Sequence, residues 1–274
     1  RIEKAIGGGE RILVYGDYDV DGTSAVSLLL DYLGSYYPNV ASYIPDRYLE
    51  GYGISLQGID FAADNEFQLI IALDCGIKAI EQVAYAREKG IDFIVCDHHR
   101  PGGQLPAAVA VLDPKREDCA YPYKDLCGCG VGFKLVQALQ SRRGLPLESL
   151  RPYLDLVAVA IAADIVPITG ENRILTHYGL QVINTRPRPG LQALMQGIQR
   201  DHYEVSDLVF QLAPRLNAAG RMKHGDQAVR LLTAREIGQA TAQALEIESL
   251  NLERRGTDRQ ITEEALAMIR DHGE

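Results

Sequence analysis

Short apolar runs alternate with longer amphipathic stretches over the first 115 residues of the chain. The apolar runs predict strands over 11–15, 40–44, 68–74, 92–97 and 108–113. Between them, the stretches 23–37 and 77–90 have the spacing of helices. Strands that alternate with helices indicate parallel strands joined by crossover helices. Because the runs are apolar at consecutive positions, we expect helices to cover both faces of the sheet.

Beyond residue 130 the pattern becomes helical. Helices are predicted over 130–144, 154–166, 175–186 and 189–199. A polar stretch with few helix breakers predicts one long exposed helix from Glu236 to Arg270. The predicted fold class is therefore α/β: a parallel β-sheet flanked by helices, Rossmann-like, followed by a helical extension and a long connector helix. We place the α/β core at 1–180, the extension that completes it at 181–235 and the connector at 236–274.

Composition narrows the class of protein. Hydrophobic residues make up 46% of the chain and no run of 18 apolar residues exists, so we expect a globular protein without a membrane span. We expect no signal peptide, and the missing initial Met indicates a fragment. The five cysteines have no C-x-x-C spacing, which favours reduced thiols in the cytoplasm. With a net charge of -9, nucleic-acid binding would need local basic patches.

The stretch GDYDVDG at 16–22 carries three alternate aspartates, and three interpretations compete for it. A calcium-binding EF-hand loop needs a Glu at its twelfth position, which is Leu28 here, so that interpretation is excluded. A phosphatase nucleophile motif usually has Thr or Val where this chain has Asp21. The third interpretation, one edge of a metal site, requires partners elsewhere in the chain.

Such partners follow the other predicted strands. In open α/β sheets, ligands bind at the carboxyl ends of the strands. The acids and imidazoles at those ends are Asp17, Asp19, Asp74, Asp97, His98 and His99. Crowded carboxylates repel one another unless cations neutralise them, so the pattern predicts a metal site with two ions. Carboxylate and imidazole ligands favour Mn²⁺ or Mg²⁺.

Three further aspartates have alternative interpretations. Asp164 ends an apolar helix, and a buried acid needs a partner, so it is a candidate ligand as well as a plain helix-end residue. Asp97 either binds metal directly or orients a neighbouring histidine. Asp21 stands just before Gly22 and Thr23, where a cap of the following helix is the favoured interpretation.

Two local patches are candidates for nucleic-acid binding. Arg215 and Arg221, with Lys223 close by, flank a segment LNAAG that contains Asn217 and that we interpret as rigid, and arginine forks suit phosphate contacts. Arg47 lies near two tyrosines that could stack on single-stranded bases. The alternative for both patches is a solvated basic face.

The ordered set GDYDVDG, LDCG, DHH and AADIVP resembles the four motifs of the DHH phosphoesterase superfamily. The stretches YIPDRYLEGYGIS, LCGCGVGFKL and APRLNAAGRM resemble, within it, the RecJ family of single-stranded-DNA-specific exonucleases. This resemblance implies a Mn²⁺- or Mg²⁺-dependent 5′→3′ exonuclease that hydrolyses phosphodiesters with two metals and releases mononucleotides. It further implies a role in DNA repair and recombination.

The resemblance also assigns residue roles. It implies Asp19, Asp74, His98 and Asp164 as principal metal ligands. It implies Asp17 as a ligand of the second ion, with Asp74 bridging, and His99 as a catalytic residue beside the scissile phosphate. Tyr15 departs from the family, in which many members have His at this position. The long terminal helix resembles the connector to a C-terminal substrate-gripping domain.

By the same resemblance we expect a cytoplasmic monomer that binds single-stranded DNA, with single-strand-binding protein and a RecQ-type helicase as partners. Two other functions stay open. One is a DHH phosphodiesterase acting on short oligonucleotides, cyclic dinucleotides or pyrophosphate. The other is an inactive DHH replication scaffold, which would usually have lost metal ligands.

Overall fold

The five predicted strands form one parallel sheet in the computed structural model, which describes residues 1–198, 200–222 and 224–272. Their order is β2-β1-β3-β4-β5. In the central pair, Val14 lies opposite Ile71. The strands are β1 Arg11–Gly16, β2 Val40–Tyr43, β3 Phe67–Leu73, β4 Asp92–Cys96 and β5 Ala110–Leu112. The predicted parallel α/β sheet is confirmed.

Helices surround this sheet and continue beyond it. Those up to the last strand are α1 Ile2–Gly7, α2 Val20–Gly34, α3 Leu56–Asp64 and α4 Ile80–Glu88. Those after it are α5 Gly128–Arg142, α6 Leu154–Ala163, α7 Gly170–Thr185, α8 Pro189–Met195, α9 Val205–Asp207, α10 Ala213–Met222, α11 Asp226–Thr233 and α12 Ile237–His272. A 3₁₀ segment Leu147–Tyr153 precedes α6, and a π turn Leu208–Leu212 precedes α10. The segment LNAAG lies within α10, and its interpreted rigidity stays a prediction.

The two faces of the sheet pack against different layers. Leu13, Ile70 and Phe93 belong to the smaller core, which includes residues of α3 and α4. Val14 and Ile71 belong to the larger core, which continues through α2, α5 and α6 and into the later helices. This alternation follows from strand geometry, in which successive side chains point to opposite faces.

The later helices extend the same core. Leu191, Leu216 and Leu231 belong to it, as do Ala240 and Ile247 in the first part of α12. Farther along α12, every side chain from 255 to 270 is exposed. The predicted boundaries near 180 and 235 stay predictions. Across the described residues, no helix combines the length and apolar character that crossing a membrane requires.

The strand order locates the ligand-binding edge. From β1 the chain crosses to β2 on one side, whereas from β3 it crosses to β4 on the other. The carboxyl ends of β1 and β3 therefore form a topological switch point, where open α/β sheets bind ligands. GDYDVDG follows β1 and Asp74 follows β3.

Candidate metal centre

The turn after β1 presents Asp17 and Asp19 at this edge. Asp17 is fully buried, and neither of its carboxylate oxygens has a hydrogen-bond partner among the described residues. Asp19 caps α2, with Oδ1 accepting a hydrogen bond from the Gly22 amide at 2.9 Å. A Cβ at Gly22 would lie 2.5 Å from the Asp17 carbonyl oxygen, so a side chain there would disrupt the turn.

The end of β3 presents Asp74 in a strained backbone conformation. Its φ is 62°, in the left-handed region that few non-glycine residues adopt. Its amide donates to the Cys96 carbonyl at 2.9 Å, which ties the turn to β4. The first turn of α5 packs closely against the Asp74 side chain. A Cβ at Gly128 would lie only 2.4 Å from Asp74 Oδ1, so only a glycine fits there.

After β4, Asp97 organises the histidine pair. Its Oδ1 accepts hydrogen bonds from the His98 and His99 amides at 2.7 and 3.1 Å and contacts His99 Nδ1 at 2.8 Å. Its Oδ2 accepts from the Ile77 amide at 2.9 Å. Burial alone would raise the pKa of Asp97, but the hydrogen bonds from His99 and Ile77 outweigh it and hold that pKa below its usual value. Asp97 is thus an anion that orients His99.

His98 stands at the centre of a carboxylate cluster. Its Nε2 lies 3.2 Å from Asp74 Oδ1, 3.6 Å from Asp164 Oδ2 and 3.8 Å from Asp21 Oδ2. Asp164 reaches it as the C-cap of α6. Asp17, Asp19 and Asp74 form a second group, in which one oxygen of each lies within 4.8 Å of the others. Asp74 also forms a group with His98 and His99, and Asp21 forms one with His98 and Asp164. The fold therefore brings all six predicted catalytic residues to one edge of the sheet.

Several acids in the cluster have raised pKa values, as expected for buried carboxylates whose charge is not neutralised. Burial, helped by the neighbouring Asp19, raises the pKa of Asp17 to about 7 and that of Asp164 to about 6. Burial and the nearby Asp21 and Asp19 raise the pKa of Asp74 well above its ordinary value. The pKa of His98 falls to about 4 because of burial and of the nearby charges of His99 and Lys115. Divalent cations would reverse the shifts of the aspartates, since they stabilise ionised carboxylates, and would reinforce that of His98, since they bind neutral imidazole.

The donor set fits a divalent cation that prefers oxygen ligands. At this edge, the buried atoms without a hydrogen-bond partner among the described residues include both Oδ atoms of Asp17, Asp74 Oδ1, both ring nitrogens of His98 and Asp164 Oδ2. Buried polar atoms in folded proteins are nearly always partnered, so these atoms need a ligand. Carboxylate oxygens with one or two imidazole nitrogens suit Mn²⁺ or Mg²⁺, and no group of potential metal ligands in the described residues includes a cysteine.

Asp21 was interpreted wrongly as the cap of the helix that follows it. Asp19 caps that helix, and Asp21 lies inside its first turn with its carboxylate buried. Asp21 accepts hydrogen bonds from the Gly128 and Cys129 amides at 2.6 and 2.7 Å. Its partners lie more than a hundred positions away, so no local sequence signal identified them.

The candidate DNA-binding residues have different surroundings. The Arg47 guanidinium lies 5.2 Å from the centre of the Tyr18 ring, in the turn that holds Asp17. Arg221 has an exposed side chain, and its carbonyl accepts from the Tyr48 hydroxyl at 2.8 Å. Asn217 Oδ1 accepts from the Val20 amide at 3.2 Å, so its oxygen serves the fold.

Arg215 is turned towards α12. Its Nε lies 2.7 Å from Glu248, and its side chain is only 12% exposed. It also donates to the Gln211 carbonyl at 2.6 Å. Arg215 is therefore less suited than Arg221 to the phosphate contact predicted for both, which stays a prediction. Lys223 lies outside the described residues.

Comparison with known proteins agrees with this site. The family model for the DHH family, N-terminal domain, matches residues 11–161. The chain belongs to the DHH family. Among curated proteins it is similar to the single-stranded-DNA-specific exonuclease RecJ of Bacillus subtilis strain 168, at 42% identity over 100% of this chain and 34% of the relative. RecJ of Escherichia coli K12 is 40% identical over 95% of this chain and 47% of the relative.

Comparison with solved structures also finds RecJ proteins. A crystal structure of exonuclease RecJ bound to manganese matches with a TM-score of 0.90 and 33% identity, covering 97% of this chain and 68% of that one. RecJ of Thermus thermophilus in complex with Mn²⁺ matches with a TM-score of 0.85 and 31% identity, over 97% of this chain and 38% of that one. The resemblance to RecJ predicted from the motifs is confirmed. The chain spans about a third to a half of the length of these curated relatives, 34% and 47%.

Proposed function

We propose that the chain is the catalytic core of a metal-dependent 5′→3′ exonuclease that hydrolyses single-stranded DNA to mononucleotides, with a role in DNA repair and recombination. One observation carries this proposal. Five side chains from four separate segments, namely Asp17, Asp19, Asp74, His98 and Asp164, converge at the switch point of the sheet, and all but Asp19 have a buried atom without a hydrogen-bond partner among the described residues. They do so in a chain whose relatives are named single-stranded-DNA-specific exonucleases.

The proposed cofactor is a pair of Mn²⁺ or Mg²⁺ ions. Asp19, Asp74, His98 and Asp164 would hold one ion, and Asp17 would hold the other together with Asp74. RecJ structures determined with Mn²⁺ and with Mg²⁺ support this choice. Bound there, such ions supply Lewis-acid chemistry that activates water and offsets charge on the phosphate. The protein contributes fixed carboxylates, and the strained turn at Asp74 limits how far that side chain can move.

His99 is the proposed proton donor beside the phosphate. Its Nδ1 contacts Asp97 Oδ1 at 2.8 Å, which leaves Nε2 facing the site, 3.3 Å from the Tyr52 hydroxyl. The hydrogen bond to Asp97 raises the pKa of His99. A charged His99 would donate a hydrogen bond to a phosphate oxygen or a proton to the leaving oxygen. Asp97 acts through His99 and is a positioning residue.

Single-stranded DNA is the proposed substrate, and aromatic residues support it. Tyr52 is 59% exposed, lies 3.3 Å from His99 and packs edge-to-face against Tyr18 at 6.2 Å. Tyr48 is 75% exposed and contacts the Arg221 carbonyl. Exposed aromatic rings near arginine suit unpaired bases and their phosphates. Arg47 and Arg221 would supply the positive charge, since the chain as a whole is acidic.

Further proposals rest on the family alone. They are association with single-strand-binding protein and a RecQ-type helicase, a monomeric state and a cytoplasmic location.

The test is Mn²⁺-dependent release of label from 5′-labelled single-stranded DNA. The chain should release labelled mononucleotide first, and Asp74→Asn should abolish release. Asp60→Asn is the matched control, because Asp60 pairs with Lys89 on the surface, outside the cluster. Release only from the 3′ end would overturn the proposed 5′→3′ polarity. Hydrolysis of dinucleotides and cyclic dinucleotides alone would overturn the proposal in favour of a small-substrate phosphodiesterase. Absence of Mn²⁺ binding in calorimetry would instead favour the replication scaffold.

A further inference from the structure

The helix α5 begins without an adequate cap of its own. Its N-cap residue is Cys127, whose sulfur is a weak acceptor at 3.3 Å from the Gly130 amide, and its first turn contains no acidic residue. The amides that open a helix need acceptors, and negative charge is stabilised there. Asp21 supplies both from another helix, because its two carboxylate oxygens accept from Gly128 and Cys129 at 2.6 and 2.7 Å.

The same turn of α5 also touches the metal cluster. Gly128, which donates to Asp21, packs so closely on Asp74 that a Cβ would fall 2.4 Å from its Oδ1 and 2.5 Å from its Cβ. Asp74 is the carboxylate that two of the three groups of candidate ligands share. A shift of α5 by a fraction of an ångström would therefore move, or release, the side chain of Asp74.

The geometry points to Asp21 as a positioning residue of the metal centre, which anchors α5 so that Gly128 fixes the side chain of Asp74. This inference rests on the proposed metal-dependent function and adds a residue to its supporting structure. Asp21 is 1% exposed, so its carboxylate is held by the protein and not by solvent. Its oxygens are already engaged by two amides, which distinguishes it from Asp17, whose oxygens have no partner among the described residues.

A carboxylate, and not an amide, is needed in this position. Both partners of Asp21 are N–H donors, so an asparagine would turn its own NH₂ group towards one of them and break that hydrogen bond. Residues that orient metal ligands commonly affect metal affinity when they are replaced, even without touching the metal. A purely structural cap would affect the stability of the fold alone.

The experiment measures Mn²⁺ binding by titration calorimetry and by the electron paramagnetic resonance of the bound ion, with thermal unfolding followed in parallel. Asp21→Asn should weaken Mn²⁺ binding by about 10- to 100-fold, keep the number of bound ions and broaden the resonance spectrum. Gly128→Ala displaces Asp74 from the other side while leaving the carboxylate of Asp21 in place, so it should reproduce the loss. In the double variant, the fold-loss of Mn²⁺ affinity should be smaller than the product of the two single fold-losses, because both substitutions act on the side chain of Asp74.

Asp155→Asn is the matched control. Asp155 is equally buried, at 1% exposure, and pairs with Arg188 at 2.9 Å. It stands in the first turn of α6, whereas Asp164 ends that helix about 13 Å away at 1.5 Å per residue. Asp155→Asn should lower the unfolding temperature and leave Mn²⁺ affinity unchanged.

The outcomes separate this inference from the proposed function. If the unaltered chain binds no Mn²⁺, the metal-dependent function itself fails. If it binds Mn²⁺ and Asp21→Asn binds it equally well, only the positioning role is overturned. A loss of one whole ion in Asp21→Asn also overturns it, because Asp21 would then be a ligand. Should Asp21→Asn fail to fold, Gly128→Ala decides, and unchanged affinity there contradicts the inference.

Discussion

Asp74 Oδ1 and His98 Nε2 lie 3.2 Å apart at the ends of adjacent strands, yet neither atom has a hydrogen-bond partner among the described residues. Both are buried, at 2% and 5% exposure, so water does not readily replace a partner. Two such atoms facing one another indicate a shared ligand between or beside them, as a cation would be. The edge of the sheet thus brings several acidic side chains together, and the surrounding packing in the described part of the chain leaves their charge unneutralised.

The stability of the metal-free chain should fall as pH rises. An unfolded aspartate titrates near about 3.9, whereas Asp17 in the fold titrates at about 7. The folded state binds the proton more tightly, so its contribution is complete below the unfolded pKa and is lost as pH rises through the folded pKa. The lowered pKa of His98 acts in the opposite sense. Its contribution to the free energy of unfolding is lost as pH falls towards about 4, because the unfolded chain then binds the proton more tightly than the fold does. Comparison with Asp17→Asn therefore isolates Asp17.

Calorimetry of the metal-free chain should show an unfolding temperature that falls between about pH 4 and about pH 7, with a smaller fall in Asp17→Asn. Saturating Mn²⁺ should reverse the fall at the higher pH, because the ion binds the ionised carboxylates. An identical pH dependence in both chains would show that Asp17 titrates normally.

His99 should control the basic limb of the pH–rate profile. Asp97 raises the pKa of His99, so Asp97→Asn should move that limb to lower pH and reduce kcat. His99→Gln should remove the limb and lower kcat by about 100- to 10,000-fold, the usual range for a general acid. A limb that stays in place in Asp97→Asn would mean that another group, such as the activated water, sets it.

Tyr52 should contribute to substrate affinity through its ring. Tyr52→Ala should weaken binding of single-stranded DNA by about 1–3 kcal/mol, the range for one stacked base, whereas Tyr52→Phe should retain most of it. Fluorescence anisotropy in Ca²⁺, without turnover, measures this directly. Tyr178→Ala is the control, since Tyr178 is similarly exposed, at 45%, but lies on α7. Equal losses from Tyr52→Phe and Tyr52→Ala would assign the effect to the hydroxyl.

Arg221 and Arg215 should behave differently although they flank one segment. Arg221→Ala should weaken binding of single-stranded DNA and reduce the slope of log affinity against log salt by about 1. Arg215→Ala should mainly lower the free energy of unfolding, because its guanidinium is committed to Glu248 and to the Gln211 carbonyl. If instead Arg215→Ala reduces the slope of log affinity against log salt, Arg215 leaves Glu248 and binds a phosphate when DNA is present. The predicted phosphate contact of Arg215 would then hold.

Much of this protein was determined by its sequence alone. Strands buried on both faces must be apolar at nearly every position, so β1, β3 and β4 were evident as runs. The rule that parallel strands deliver ligands at their carboxyl ends then placed Asp17, Asp74 and His98 together before any contact was known. These are local patterns joined by a general property of parallel sheets.

Only the tertiary structure decided the rest. It brought Asp164 to His98 through the end of α6, turned Arg215 towards Glu248 and made α10 helical. It also showed that Asp21 caps α5 across 107 positions. Periodicity reports the burial of a residue within its own element, whereas these contacts depend on which element packs against which. A buried aspartate has the same local sequence whether it caps its own helix, caps another or binds metal, and only packing distinguishes the three.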